Sequence, residues 1–147
     1  MKYLCNMKKI DSFKDEYFFL SNFYEAPVEY DGLKYGSSEA AFQAQKCEFP
    51  AKRKEFQNLN PSKSKALGRK VTLRDDWDEV KDRVMLEIVR NKFEQNPDLK
   101  EKLVATGDAY LEEGNWWGDR TWGVCNGVGE NRLGKILMKV REELKNE

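Results

Sequence analysis

The chain has 147 residues, 26 of them basic and 26 acidic, and it contains no histidine. That length suits one domain with a core of its own, and the balanced charge sets up no overall field toward nucleic acid or an anionic membrane. Without histidine there is no Ser-His or Cys-His nucleophile and no imidazole metal ligand, so catalysis falls to carboxylates, lysine, tyrosine, cysteine or a bound cofactor.

The opening "MKYLCNMKKIDSFKDEYFF" lacks the apolar run of a signal peptide, and no later run approaches a membrane span. Cys5, Cys47 and Cys125 are odd in number and scattered, which points away from a disulfide framework and toward a reducing compartment. The expectation is a soluble, cytoplasmic protein. Strands are predicted at 26–30 and 33–35, joined by Asp31-Gly32, a strong hairpin dipeptide. Gly36-Ser37-Ser38 then offers N-caps for a helix through "EAAFQAQKC", residues 39–47.

Asn60-Pro61 repeats the cap-then-proline signal before a short helix in "SKSKALGRK". After Asp75-Asp76, an apolar stripe predicts another helix. It comprises Trp77, Val80, Val84, Ile88 and then Lys92, widened by Met85, Val89 and Phe93. Asn96-Pro97 starts "PDLKEKLVAT", which Gly107 can end, and the last helix spans 132–144 with Leu133, Ile136, Leu137 and Val140 facing inward. Strand-like pieces fall early in the chain and around 109–124. The predicted class is α+β, a predominantly helical single domain covering 1–147, with a small antiparallel β element.

Three places carry chemistry. In "FLSNFYEAP", Ser21 and Asn22 stand between aromatics. In the helix at 39–47, Glu39, Gln43 and Lys46 are spaced i, i+4 and i+7 and share one stripe, while Ala40, Ala44 and Cys47 form a flank of small side chains. That row faces either water or a substrate. The third place is "EEGNWWGDRTWGVCNGVGENRLG", rich in glycine, with three tryptophans beside Asp119 and Arg120. Its glycines permit tight turns, its indoles offer stacking area, and Gly127, Gly129 and Asn131 precede a helix start whose free N–H groups favour phosphate. A nucleotide or phosphorylated ribose suits the combination. Each piece also has a plain reading: a dipole-complementing Glu39, a solvated Lys46, core tryptophans, an Asx-turn Asp119.

At these residues the sequence resembles the NADAR (NAD- and ADP-ribose-associated) family, which includes the YbiA-like proteins. "SNF…P…DG…Y…SSEAAFQAQK", "ALGRKVTLRDDWDEVKDRVM", "KFEQNPDLKEKLVATGDAYLEE" and "DRTWGV…GENRLGKILMKVREEL" match in order over 18–144. The resemblance implies a YbiA-like fold and hydrolysis of an N-glycosidic bond at ribose C1; with no histidine and no cysteine pair at zinc-ligand spacing, no cofactor and no metal are expected. The substrate it implies is ADP-ribosylated guanine, in nucleic acid or as a nucleotide, or else a phosphoribosylated pyrimidine intermediate of riboflavin synthesis. A third reading is a non-catalytic ADP-ribose-binding module. Carried over residue by residue, Lys46 is implicated in a Schiff base, and Glu39, Trp77 and Asp119 in the active site. Ser21, Asn22, Phe23, Trp122 and Asn131 match motif positions expected to line the pocket; Gln43 and Gly123, in the same motifs, are expected there too. Many members read SEHYFQAQK where this chain has Ala40 and Ala41, which leaves any role of that histidine unfilled. The cations Lys52, Arg53, Lys54, Lys63, Lys65, Arg69 and Lys70 are read as a basic rim for an oligonucleotide.

Overall fold

The computed structural model describes residues 8–147, so Cys5 lies outside the described residues. In chain order these form β1 (Lys9–Ile10), a 3-10 helix (Asp15–Leu20), β2 (Glu25–Tyr30), β3 (Leu33–Ser37), α1 (Ser38–Ala44), a second 3-10 helix (Pro50–Phe56) and α2 (Pro61–Gly68). Then follow α3 (Trp77–Gln95), α4 (Pro97–Ala105), β4 (Tyr110–Leu111), β5 (Gly114–Asn115), β6 (Val124–Cys125) and α5 (Arg132–Lys145). Helix dominates, the strands are short, and the fold is α+β. The chain divides into two compact units, Asn22–Pro97 and a second made of the stretch before Asn22 together with Asp98–Glu147.

In the unit Asn22–Pro97, β2 and β3 form the expected antiparallel hairpin, extended by one residue at its start and two at its end. Asp31 and Gly32 both have positive φ, 50° and 83°, as a two-residue hairpin turn requires. Glu25 pairs with Ser37 and Val28 with Tyr35, so Ala26 and Pro27 both stand opposite Gly36. This bulge accommodates a proline that has no N–H to give the ladder. The outer edge of β2 is covered by side chains from the end of α3. Gln95 donates to the Glu29 carbonyl (3.0 Å) and accepts the Glu29 N–H (2.7 Å). Asn91 donates to the same carbonyl and Asn96 to that of Pro27. A bare strand edge is thereby closed to further pairing.

Asp76 stands at the N-cap of α3, but its carboxylate is held by the Arg74 guanidinium (2.6 and 3.0 Å) rather than by a helix N–H. Trp77, Val84, Met85, Ile88, Val89 and Phe93 make the buried stripe of this helix. Lys92 continues the stripe and is 1 % exposed, its ammonium 5.8 Å from the Tyr24 ring centroid and 5.1 Å from that of Phe93. Aromatic faces attract a cation. Burial nevertheless pushes the Lys92 pKa down to about 7.

In the other unit, β1 pairs with β4 and β5 with β6, both parallel. The sequence reading anticipated only antiparallel pairing. Two-residue parallel pairs lack both a hairpin dipeptide and an alternating pattern, so nothing local announces them. Leu133, Leu137, Val140 and Leu144 form the inner stripe of α5, whereas Ile136, expected inward, is only half-buried. Arg141 lies buried on the same helix, donating to Thr106 Oγ1 (3.0 Å) and to the Ala109 carbonyl (2.8 Å).

The burial of Lys92 has a measurable consequence. The unfolded chain holds this proton up to its ordinary pKa of 10.5, the folded chain only up to about 7. Between those values folding releases a proton, so the Lys92 contribution makes stability rise with pH, by at most about 1.4 kcal/mol per pH unit. Lys92→Met is expected to flatten that part of the curve and to raise the melting temperature at pH 7, measured by thermal denaturation from pH 6 to 10.

Candidate active site

Within the unit Asn22–Pro97 the site is built around α1. Ser37 caps it, its Oγ accepting the Ala40 N–H (3.1 Å), and all seven helical residues are buried. Ala40, Ala41 and Ala44 are fully buried, which lets β2, β3, α2, α3 and the second 3-10 helix all pack on this one short helix. Asn22 brackets its first turn. The Asn22 carbonyl accepts the Glu39 N–H (3.1 Å), and its side-chain oxygen accepts from Ser38 Oγ (2.9 Å). The Asn22 amide group reaches Met85 Sδ at 3.5 Å. Asn22, expected to contact substrate, thus has its side chain engaged by its own chain, in holding the segment that carries Glu39.

Glu39 is 8 % exposed and Gln43 5 %. One turn apart, they meet through Gln43 Nε2 donating to Glu39 Oε2 at 2.7 Å. Lys46 is not part of this helix, a correction to the helix expected over 39–47. The α-helix ends at Ala44, and Gln45, Lys46 and Cys47 continue as tightened turns with N–H bonds to Phe42, Gln43 and Ala44. The cause lies outside the segment. Lys46 and Glu48 are tied to residues 72–74 by Arg74 N–H to Lys46 O and Glu48 N–H to Thr72 O, each 2.9 Å, around a bridge between Cys47 and Leu73. The Gln45 amide also occupies the Ala41 carbonyl (3.0 Å).

Lys46 is half-buried. Burial holds its amine below the ordinary lysine pKa; the Glu39 carboxylate opposes this, while Arg69, Lys65 and Lys81 add to it. A lysine in this condition has more of the neutral, nucleophilic amine at neutral pH than an exposed one. Trp77 is 6 % exposed, its ring centroid 5.1 Å from that of Phe42 on α1 at a tilt of 52°. Phe23 is half-buried, with the Lys65 ammonium 5.7 Å from its ring centroid.

The remaining expected site residues belong to the other unit. Ser21 ends the first 3-10 helix, its N–H on the Phe18 carbonyl. Asp119 sits in a locked turn: its Oδ1 accepts the N–H groups of Thr121 (3.1 Å) and Trp122 (2.9 Å). Asn115 clamps the Asp119 N–H and carbonyl at 3.0 and 2.9 Å. Gly123 lies where a Cβ would collide with Glu113 and the Asn115 amide. Asn131 is 2 % exposed with φ 52°, and its amide is used within the chain: Nδ2 donates to the Leu111 carbonyl (2.9 Å) and Oδ1 accepts the Glu113 N–H (3.0 Å). Trp122 is half-buried, whereas Trp116 is 86 % exposed and stacks edge-on with Trp117 at 5.7 Å.

Glu39, Gln43 and Lys46 therefore converge in one unit with Asn22 and Trp77 packed nearby, and Asp119, Trp122, Gly123 and Asn131 share one loop network in the other. Sequence reasoning missed Asn115, for which the spacing to Asp119 in a glycine-rich loop was the available signal. It also missed Gly68, whose missing side chain leaves room for the Gln43 amide. Lys81 had no signal at all, since its approach to Lys46 depends on how α3 packs.

Residues 9–145 match the NADAR domain. The chain belongs to the NADAR family. Among curated proteins it resembles N-glycosidase YbiA of Escherichia coli (strain K12), 39% identical over 140 residues, 90% of this chain and 85% of that protein. It also resembles the riboflavin biosynthesis protein VVA0006 of Vibrio vulnificus (strain YJ016), 39% identical over 133 residues, which are 86% of this chain but 35% of that protein. The NMR structure of E. coli YbiA superimposes with a TM-score of 0.83 at 38% identity, over 95% of this chain and 85% of that one. Among the described residues no helix is long and apolar enough to cross a membrane, and no cluster of three or more Cys, Asp or Glu side chains is placed to hold a metal ion.

Two expectations follow, one for each unit of this NADAR chain. In a pH series of amine labelling read by peptide mass spectrometry, Lys46 reacts with a lower midpoint than the exposed lysines. Glu39→Gln lowers that midpoint further, because the carboxylate favours the ammonium. Asn131→Ala, which strands the Leu111 carbonyl and the Glu113 N–H, is expected to cost about 2 kcal/mol or more in denaturant unfolding.

Proposed function

We propose that this protein hydrolyses an N-glycosidic bond at ribose C1, and that its substrate is a guanine base carrying ADP-ribose on its exocyclic nitrogen. The observation that carries this reading is Lys46, an amine depressed by burial and electrostatically coupled to a buried carboxylate, Glu39. The relatives named N-glycosidase support the reaction class.

The chemistry needs no histidine. Opening of the furanose breaks the bond from C1 to the ring oxygen, which takes a proton, and leaves C1 doubly bonded to the base nitrogen. The neutral Lys46 amine adds to C1. The base nitrogen then leaves with a proton, and C1 remains bound to Lys46 as a Schiff base. Water adds to C1, the C1–Nζ bond breaks, and the released aldehyde closes again to the free sugar. Glu39 is assigned the proton transfers. Trp77 is assigned the base or the sugar face.

A second reading is N-glycosidase action on phosphoribosylated pyrimidine intermediates, favoured by the Vibrio relative's name as a riboflavin biosynthesis protein. One mass-spectrometric assay decides between them. The protein is incubated with a guanine-ADP-ribosylated oligonucleotide and, separately, with the phosphoribosylamino-pyrimidine, each with and without borohydride. Release of ADP-ribose with a reduced adduct on Lys46 is the expected result. Release only from the pyrimidine moves the assignment to the second reading, and full turnover by Lys46→Ala overturns the covalent mechanism in either case.

A further inference from the structure

Gln43 was expected to contact substrate, yet its surroundings point elsewhere. Its side chain is nine-tenths buried or more, and the amide Nε2 donates to Glu39 Oε2 at 2.7 Å. The amide oxygen is buried without a hydrogen-bond partner and lies against α2 at Gly68, where a Cβ would strike it. The amide thus lies between a carboxylate and a glycine. Turning it over would set oxygen against oxygen at Glu39, so the carboxylate dictates which end faces it. The helical spacing does the rest: a side chain on α1 leans toward the helix N-terminus, and the residue one turn earlier is Glu39.

We infer that Gln43 is a positioning residue, seated in the notch left by Gly68, that fixes the rotamer of the Glu39 carboxylate and stabilises its ionised form. Its action on the reaction rests on the assignment of proton transfer to Glu39 in the proposed function. An N–H aimed at a carboxylate favours the charged state, and only the charged state accepts a proton. A side chain held on two sides loses little freedom when substrate arrives. Gly68 acts at one remove: any larger residue there pushes the amide off the carboxylate.

Two variants test this by independent routes. Gln43→Met keeps length and volume without the donor, and Gly68→Ala displaces the donor without altering it. The first readout needs no turnover: the Glu39 side-chain carboxyl is followed by 13C NMR through a pH titration. Loss of the donor is expected to move its midpoint to higher pH in both variants, and an unchanged midpoint overturns the inference. The second readout uses whichever substrate the wild-type protein cleaves. A fall in kcat of about tenfold or more with KM within about twofold is expected, and the fall should vanish when either change is made on top of Glu39→Gln. A rise in KM at constant kcat identifies Gln43 as a substrate contact and overturns the positioning role. Should the wild-type protein cleave neither substrate, the proposed function fails by itself, and the titration still decides whether Gln43 holds Glu39.

Discussion

A seven-residue helix with no solvent-facing side is the constraint on which the candidate site depends. Every residue of Ser38–Ala44 is buried, and the alanines on its flanks let neighbouring elements close on it from all round. Polar groups on such a helix cannot turn to water. Burying a carboxylate and an amide without partners is costly, so they must find each other or their neighbours. Glu39 meets Gln43, and the Glu39 N–H meets the Asn22 carbonyl. Lys46, just beyond the helix, feels the same desolvation as a loss of basicity. Packing and the lowered basicity of Lys46 here have one origin.

Two expected substrate contacts, one in each unit, are already engaged within the protein. Asn22 bonds Ser38 and approaches Met85, and Asn131 straps Leu111 and Glu113 to the start of α5. Side chains recognised by motif can be indispensable for holding a loop or a helix end in place, which is a different role from touching a ligand. Asp119 is engaged likewise: its Oδ1 closes the turn at Thr121 and Trp122, in keeping with the plain Asx-turn reading.

Outside the site, the unit Asn22–Pro97 shows how a small hairpin is kept from pairing further. The edge of β2 is finished by amide side chains, with Gln95 making both bonds to Glu29 that a neighbouring strand would make. Lys92 lies on the same helix, one turn and less from those amides, in the middle of an apolar stripe. Periodicity placed it there, but periodicity says nothing of the cost of burying an amine among aromatic rings.

What the sequence by itself determined was local or categorical. The absence of histidine, the hairpin dipeptide Asp31-Gly32, the caps Ser37 and Asn60 and the amphipathic stripes of α3 and α5 act through neighbours a few residues away, and they were legible. So was the family, because its motifs are ordered strings of residues. Tertiary structure alone decided the rest. It ended α1 at Ala44 through the pairing with residues 72–74, left room at Gly68 for an amide from another helix, and joined the two-residue parallel strands. It also set how far each amine is removed from water. The physical reason is that turn and helix signals are carried by bonds within one turn of chain, whereas desolvation and close approach depend on which distant segments arrive.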